Sequence, residues 1–423
     1  MEKTQNKNYA LPIAMMFALF FMIAFVTGLP SPMGVIVAKQ FGATNFESQL
    51  GFLGNFIAYA FMGIPAGIML RKIGYKKTAL SAIVVGFAGV GVQFLSGQAG
   101  SFTIYLVGTL ISGFSMCMLN TVVNPMLNTL GGGGNKGNQL IQFGGSINSI
   151  GATITPMLVG FLMGAEAGRT IEKANPALFL AMGIFALAFV VLMFVNIPEP
   201  HLQTVAQQKS KHKHSPLSFR HFIFGAIAIF VYVGVEIGIP STANLFMTAS
   251  PTATNPGLGI DATVAGSIVG IYWLLMLVGR LVGASIGAKV SSKAMLIFVS
   301  LLGMLLMALA IISPTSIAIT IPFIGSTVPL SVIFIVLGGL CTSIMWGGIF
   351  NLAVEGLGKY TAAASGIFMV MVMGGGIIPL LQGWVSDNFG FVNSYWVMFA
   401  CMAYLLWYAL VGCKNVNTEI PVE

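Results

Sequence analysis

Stretches of about twenty apolar residues recur from one end of this 423-residue chain to the other, and nothing else in it constrains the fold as tightly. A helix needs about 20 residues to cross a hydrocarbon core of roughly 30 Å. Twelve such spans are predicted, at roughly 9–38, 48–70, 78–97, 102–130, 139–163, 176–196, 218–248, 262–288, 294–313, 328–355, 361–384 and 392–412. Charged residues make up only 7% of the chain, against about 25% in an ordinary soluble domain. The expected fold is therefore all-α and polytopic, with the membrane as its solvent.

The only long polar segment falls between the sixth and seventh spans. It divides the chain into an N-terminal six-helix half (1–197), a linker (198–217) and a C-terminal six-helix half (218–423) with a short tail. Positive charge follows the same plan. Of the 19 Lys and Arg, only Lys39, Arg169 and Lys173 fall in loops opposite the linker, and only Arg280 falls deep in a span. That bias puts the linker and both termini in the cytoplasm, in a bacterial inner membrane. The net charge of +8 thus reports topology, and no nucleic-acid partner is implied.

The linker carries His201, His212 and His214 among lysines, which reads as a solvated stretch. The four cysteines lie singly in or beside apolar runs and suggest neither a disulfide framework nor a metal site. No cofactor is expected. The apolar run beginning at Ala10 is too long for the core of a signal peptide and is read as an uncleaved first helix.

The halves resemble each other. Gly151, Pro156 and Gly160 in GATITPMLVG recur at identical spacing as Gly374, Pro379 and Gly383 in GGGIIPLLQG. Repeats of this kind place a substrate site between the halves, near the midplane.

Two opposite charges, Glu236 and Arg280, have to live inside the bilayer, where ionisable groups are costly and are kept paired or facing a polar path. They are either a structural ion pair joining two helices or a coupling site at which the carboxyl carries a proton. In the fourth span Asn120, Asn124 and Asn128 are four apart and stack on one face, and Pro125 frees a backbone carbonyl beside them. Their amides can knit helices together or meet sugar hydroxyls, since an amide both donates and accepts. Asn148 and Gln142 in the fifth span, Tyr232 and Asn244 in the seventh, Asn351 in the tenth and Gln382 in the eleventh extend this polar set. Trp and Tyr usually anchor at the membrane interface. Trp273 and Trp346 instead sit well inside their spans, where a ring can serve as a platform for a pyranose face.

Two strings mimic enzymes. GASIG (Gly283–Gly287) fits a nucleophile elbow, but that requires a strand-to-helix turn. Here Gly279, Gly283 and Gly287 form a helix-packing stripe. GGGGNKGN lacks the Gly-Lys-Ser/Thr ending of a phosphate loop. No catalytic constellation remains, so no enzyme is expected. A membrane sensor, the non-transporting alternative, would normally carry a soluble output domain, and the longest polar stretch is the linker.

The strings TNFESQL, GIPAGIMLRKIGYKK, VNPMLNTLG, INSIGATITP, VYVGVEIG, GIYWLLMLVGRLVG, SIMWGGIFNLAVEGLGKYTAAASG and GGGIIPLLQGW run from Thr44 to Trp384. Through them the chain resembles the fucose/glucose/galactose:proton symporter family of the major facilitator superfamily. The resemblance implies twelve helices and sugar import by alternating access. It also exposes departures. The acidic residue that the sugar symporters carry in the first helix falls on Ser31. The position that is Glu in fucose symporters falls on Asn120, and their fifth-helix Gln falls on Gly145. Both carboxylates are absent, which sets the chain apart from the family's route of proton coupling.

The reading is a secondary transporter, a monomer in membrane lipid, importing a monosaccharide or sugar derivative with H+ as coupling ion. Asn120, Asn124, Asn148, Trp273, Arg280, Trp346, Asn351 and Gln382 are its substrate-site candidates, and Glu236 is its coupling candidate. The alternatives are sodium-coupled or uncoupled transport, and import of a sugar acid such as sialic acid or a uronate. In the last case Arg280 would bind the carboxylate bidentately.

Overall fold

A backbone in lipid has no water to bond, so it must satisfy its own N–H and C=O groups within each helix. The computed structural model describes residues 9–131, 134–163, 170–197, 199, 215–286, 290–314, 316–357, 360–417 and 419–420. Among them, twelve helices are long and apolar enough to cross a membrane: Ala10–Phe41, Leu50–Leu70, Lys72–Ala99, Phe102–Leu127, Phe143–Leu162, Ile171–Phe194, Arg220–Thr248, Ala262–Gly283, Ser292–Ile312, Leu330–Val354, Gly366–Phe389 and Tyr395–Gly412. Each predicted span has its counterpart. The histidines of the linker lie outside the described residues.

Successive spans alternate in direction, which defines a near side, where the sixth span ends and the seventh begins, and a far side. Several spans are not straight rods. The first bends at Gly28–Leu29, where Pro30 opens the helix Pro30–Phe41. The second and third form one run, Leu50–Ala99, interrupted at Gly74. Gly74 has φ 84°, a left-handed conformation that glycine adopts without a Cβ clash. The Glu199 carboxylate accepts from the Tyr75 and Lys76 amides at 2.7 and 2.9 Å, bracing this turn. The tenth span breaks into Leu330–Thr342 and Met345–Val354. The eleventh breaks between Met371 and Gly374.

One element was not foreseen. Between the ninth and tenth spans, on the far side, β1 (Ala318–Ile321) and β2 (Ser326–Pro329) pair antiparallel. Thr320 and Thr327 face each other across the pair with their hydroxyls 2.9 Å apart.

The internal repeat is visible in the packing. Gly151 lies against Phe21 and Ala24 of the first span, and its counterpart Gly374 lies against Phe230 of the seventh. Gly160 meets Ala262 and Thr263 at the start of the eighth span. Gly383 meets Asn45 and Phe46, just before the second. Each repeat thus seats its fifth helix on the first helix of its own half and on the second helix of the other. Glycines are what let backbones approach this closely.

Hydrogen bonds joining the halves gather on the far side. Asp387 accepts from the Asn45 and Phe46 amides, both at 2.8 Å. Gln49 donates to Ser241 and Thr242, Asn244 donates to Ser31, and the Thr263 hydroxyl donates to the Gly160 carbonyl. The far side is therefore zipped shut. Trp384, Trp396 and Trp407 stand exposed near helix ends, suited to the interface, whereas Trp273 and Trp346 are half-buried inside the protein.

Candidate functional site

The site begins with a proline. Pro240 lies inside the seventh span and has no N–H, so it cannot bond the carbonyl four residues back. That carbonyl belongs to Glu236, and the Tyr272 hydroxyl of the eighth span donates to it at 3.1 Å. The same hydroxyl lies 3.0 Å from Thr342 Oγ1 of the tenth span. Three helices are thereby fixed around Glu236. Tyr232, one turn earlier on the same helix, is fully buried beside it.

Arg280 reaches this point from the eighth span. Gly279 and Gly283 pack directly on Ser343 and Ile344, drawing the eighth and tenth spans together and setting the Ser343 carbonyl 3.4 Å from Arg280 Nε. Nη2 stands 3.5 Å from Glu236 Oε1, with the two side chains only 20% and 15% exposed. Nη1 donates to the Gly145 carbonyl at 2.8 Å and to Ser149 Oγ at 2.7 Å. Gly145 and Ser149 belong to the fifth span, in the other half. One guanidinium therefore ties its own helix to three others and joins the halves.

The amides line the neighbouring helices. Asn120 donates to Tyr59 Oη of the second span at 2.8 Å and to the Met116 carbonyl at 3.1 Å. Asn124 donates to the Asn120 carbonyl, and Asn148 donates to the Phe20 carbonyl of the first span at 3.1 Å. All three are partly accessible, and each amide oxygen can still accept. Trp346 packs on Tyr232 at 6.2 Å between ring centroids, and Trp273 meets Tyr272 edge-on at 5.3 Å. Both aromatic candidates thus border the tyrosines that flank Glu236.

Two candidates stand apart. Asn351 lies past the break in the tenth span, near its near-side end, where it donates to Ser292 Oγ at 3.4 Å. Gln382 is fully buried against Gly238 and Met398, packed within its own half. Neither joins the Glu236–Arg280 cluster. The side chains of Asn128 and Gln142 lie outside the described residues. Ser31, where the resemblance places an acid, meets Asn244 in the far-side closure.

The residues that sequence reasoning missed are Tyr59, Ser149, Tyr272, Ser343 and the Gly145 carbonyl. Hydroxyls in oily helices carry a weak signal, because Ser and Thr often bond their own helix, as Thr153 does with Ser149. A backbone acceptor carries none.

Against known proteins, the sequence model described as Major Facilitator Superfamily matches residues 15–376. The chain is 31% identical over 435 residues to a putative glucose/galactose transporter of Helicobacter pylori (strain J99 / ATCC 700824), with 98% of this chain and 99% of that one covered. It is 24% identical to the L-fucose-proton symporter of Escherichia coli (strain K12), over 91% and 89% of the two chains. Among solved structures, it superposes on a Major Facilitator Superfamily transporter, FucP, in the outward conformation. The TM-score is 0.68 at 21% identity, covering 96% of this chain and 100% of that one.

Proposed function

The chain belongs to the Major Facilitator Superfamily, a superfamily of transporters, and on that premise we propose that it imports a neutral monosaccharide or N-acetylated sugar by alternating access, coupled to protons through Glu236. The observation that carries the neutral substrate is the pairing of Arg280 with an acid of this chain. Its charge is met by Glu236 at 3.5 Å, and Nε and Nη1 donate to Ser343, Gly145 and Ser149. Among the described residues the cation at this cluster already has its counter-charge, which disfavours a substrate carboxylate there. What the cleft offers instead is amide acceptors on Asn120, Asn124 and Asn148 beside the rings of Trp346 and Trp273, the chemistry that suits hydroxyls and pyranose faces. The relatives named for glucose/galactose and for fucose with protons agree with a sugar.

Protons are favoured because Glu236 is the acid set deep within a span, next to a partner that can hold its charge. The charge bias makes the near side cytoplasmic in a bacterial inner membrane. The far-side closure then describes a form shut towards the outside.

The test is counterflow in proteoliposomes, with labelled glucose or galactose and competing neutral hexoses, N-acetyl sugars and sugar acids. Neutral sugars are expected to exchange and uronates or sialic acid to be inert. Uptake confined to the sugar acids overturns the proposal. In the same assay Asn120→Ala and Asn124→Ala are each expected to raise KM about 3- to 10-fold, the loss of one ordinary hydrogen bond, with the maximal exchange rate little changed.

A further inference from the structure

Resting on that reading, the structure assigns a further coupling element: the Gly145 carbonyl and Ser149 hydroxyl of the fifth span are a seat for the Arg280 guanidinium, filled while the far side is closed, through which the protonation state of Glu236 sets the relative position of the two halves.

The geometry is that of one cation between two holders. Nη2 faces Glu236 at 3.5 Å within its own half. Nη1 is held more closely by the other half, at 2.8 Å from Gly145 O and 2.7 Å from Ser149 Oγ. Ser149 Oγ donates to Gly145 O at 3.2 Å, which turns its lone pairs to the guanidinium. Ser149 is almost fully buried, so water is a poor substitute partner there. At residue 145 a Cβ would meet Arg280 Nη1 at an ordinary 3.8 Å, so alanine fits beside the guanidinium. A long side chain at this position would fill the space the guanidinium uses.

Rocking of the halves must make and break the Nη1 bonds, since they cross between them. Among the described residues the groups beside Glu236 are Arg280, Tyr232 and Tyr272, and Arg280 is the charged one. When Glu236 takes up a proton, the guanidinium loses its counter-charge and is left to neutral acceptors. A buried cation without a partner is costly, and the seat then holds it most strongly, favouring the closed far side. When Glu236 ionises, the guanidinium can leave the seat for the carboxylate, and the halves can part. Ser149 is thus a positioning residue, acting through Arg280.

The test reads far-side opening without any sugar, so it stands or falls separately from the substrate assignment. Spin labels at the exposed positions Ala99 and Ala253 sit on the far side of opposite halves, and their distance distribution gives the ratio of closed to open forms in the full chain. Glu236→Gln, which mimics the protonated acid, is expected to raise that ratio by roughly 5-fold or more, the low end of ordinary coupling between sites. Ser149→Ala should remove this shift when combined with Glu236→Gln. Ser149→Thr, which keeps the hydroxyl, should restore it, and Gly145→Ala, which keeps the carbonyl, should leave it in place. A Glu236→Gln shift that survives Ser149→Ala overturns the proposal, as does a far side that opens on Glu236→Gln. Should Ser149→Ala fail to fold, Gly145→Leu, which fills the seat, must abolish the shift instead.

Discussion

Glu236→Gln is expected to abolish accumulation of sugar against its gradient while leaving exchange of sugar across the membrane intact. For one proton per sugar, a gradient of one pH unit sustains about tenfold accumulation. The variant should equilibrate at a ratio of one. The physical reason is that a carboxyl can hold or release a proton and an amide cannot, while the two have nearly the same shape. Tyr272 should hold the seventh helix as before, because it bonds the Glu236 backbone carbonyl. Proteoliposomes with an imposed pH gradient, compared with counterflow at equal pH, separate the two activities. Concentrative uptake by the variant would move the proton elsewhere, or put a sodium-driven mechanism in its place.

The second large effect is on folding. Arg280→Met strands the Glu236 carboxylate, and Glu236→Met strands the guanidinium, at a depth where each side chain is at most one-fifth exposed. Breaking a buried pair from one side costs about 3–5 kcal/mol, whereas replacing both partners by apolar groups is often neutral. Each single variant is therefore expected to lose most of its thermal stability in detergent, and the double Met variant to recover it without recovering transport. Arg280→Lys should lie between. It keeps a charge for Glu236, but it lacks the planar fork that reaches Gly145, Ser149 and Ser343 at once. A double variant no more stable than the singles would show that the pair is not what holds these helices.

Much of this was legible from one-dimensional pattern. Span length and charge bias are direct consequences of the membrane, so they survive without any knowledge of packing. Glu236 and Arg280 could be paired by elimination, since two opposite charges deep in oily helices have few other partners. The partners that complete the site were hidden for definite reasons. Gly145 contributes a carbonyl, and the letter G says nothing of where a carbonyl points. Ser149 differs from a dozen helix-bonding hydroxyls only by what stands opposite. Asn351 stands away from the cluster, close to the near-side end of the tenth span beside Ser292, a depth that its residue type does not reveal. An amide in an apolar span reads as cavity lining, while Gln382 is packed between helices of one half. The hairpin at Ala318–Pro329 escaped notice because its alternation is four residues long on each strand and abuts an apolar span.

The glycine contacts that seat each fifth helix bear on speed. Where Gly383 meets Asn45 and Phe46, and Gly160 meets Ala262 and Thr263, contacts that cross between the halves, main chain lies on main chain with no side chain between. Interlocked side chains resist sliding because many rotamers must change together before one helix can pass another. Bare backbone presents no such teeth. Such seams can act as bearings, offering little friction to a turn of one half against the other while the polar latches set where the motion stops.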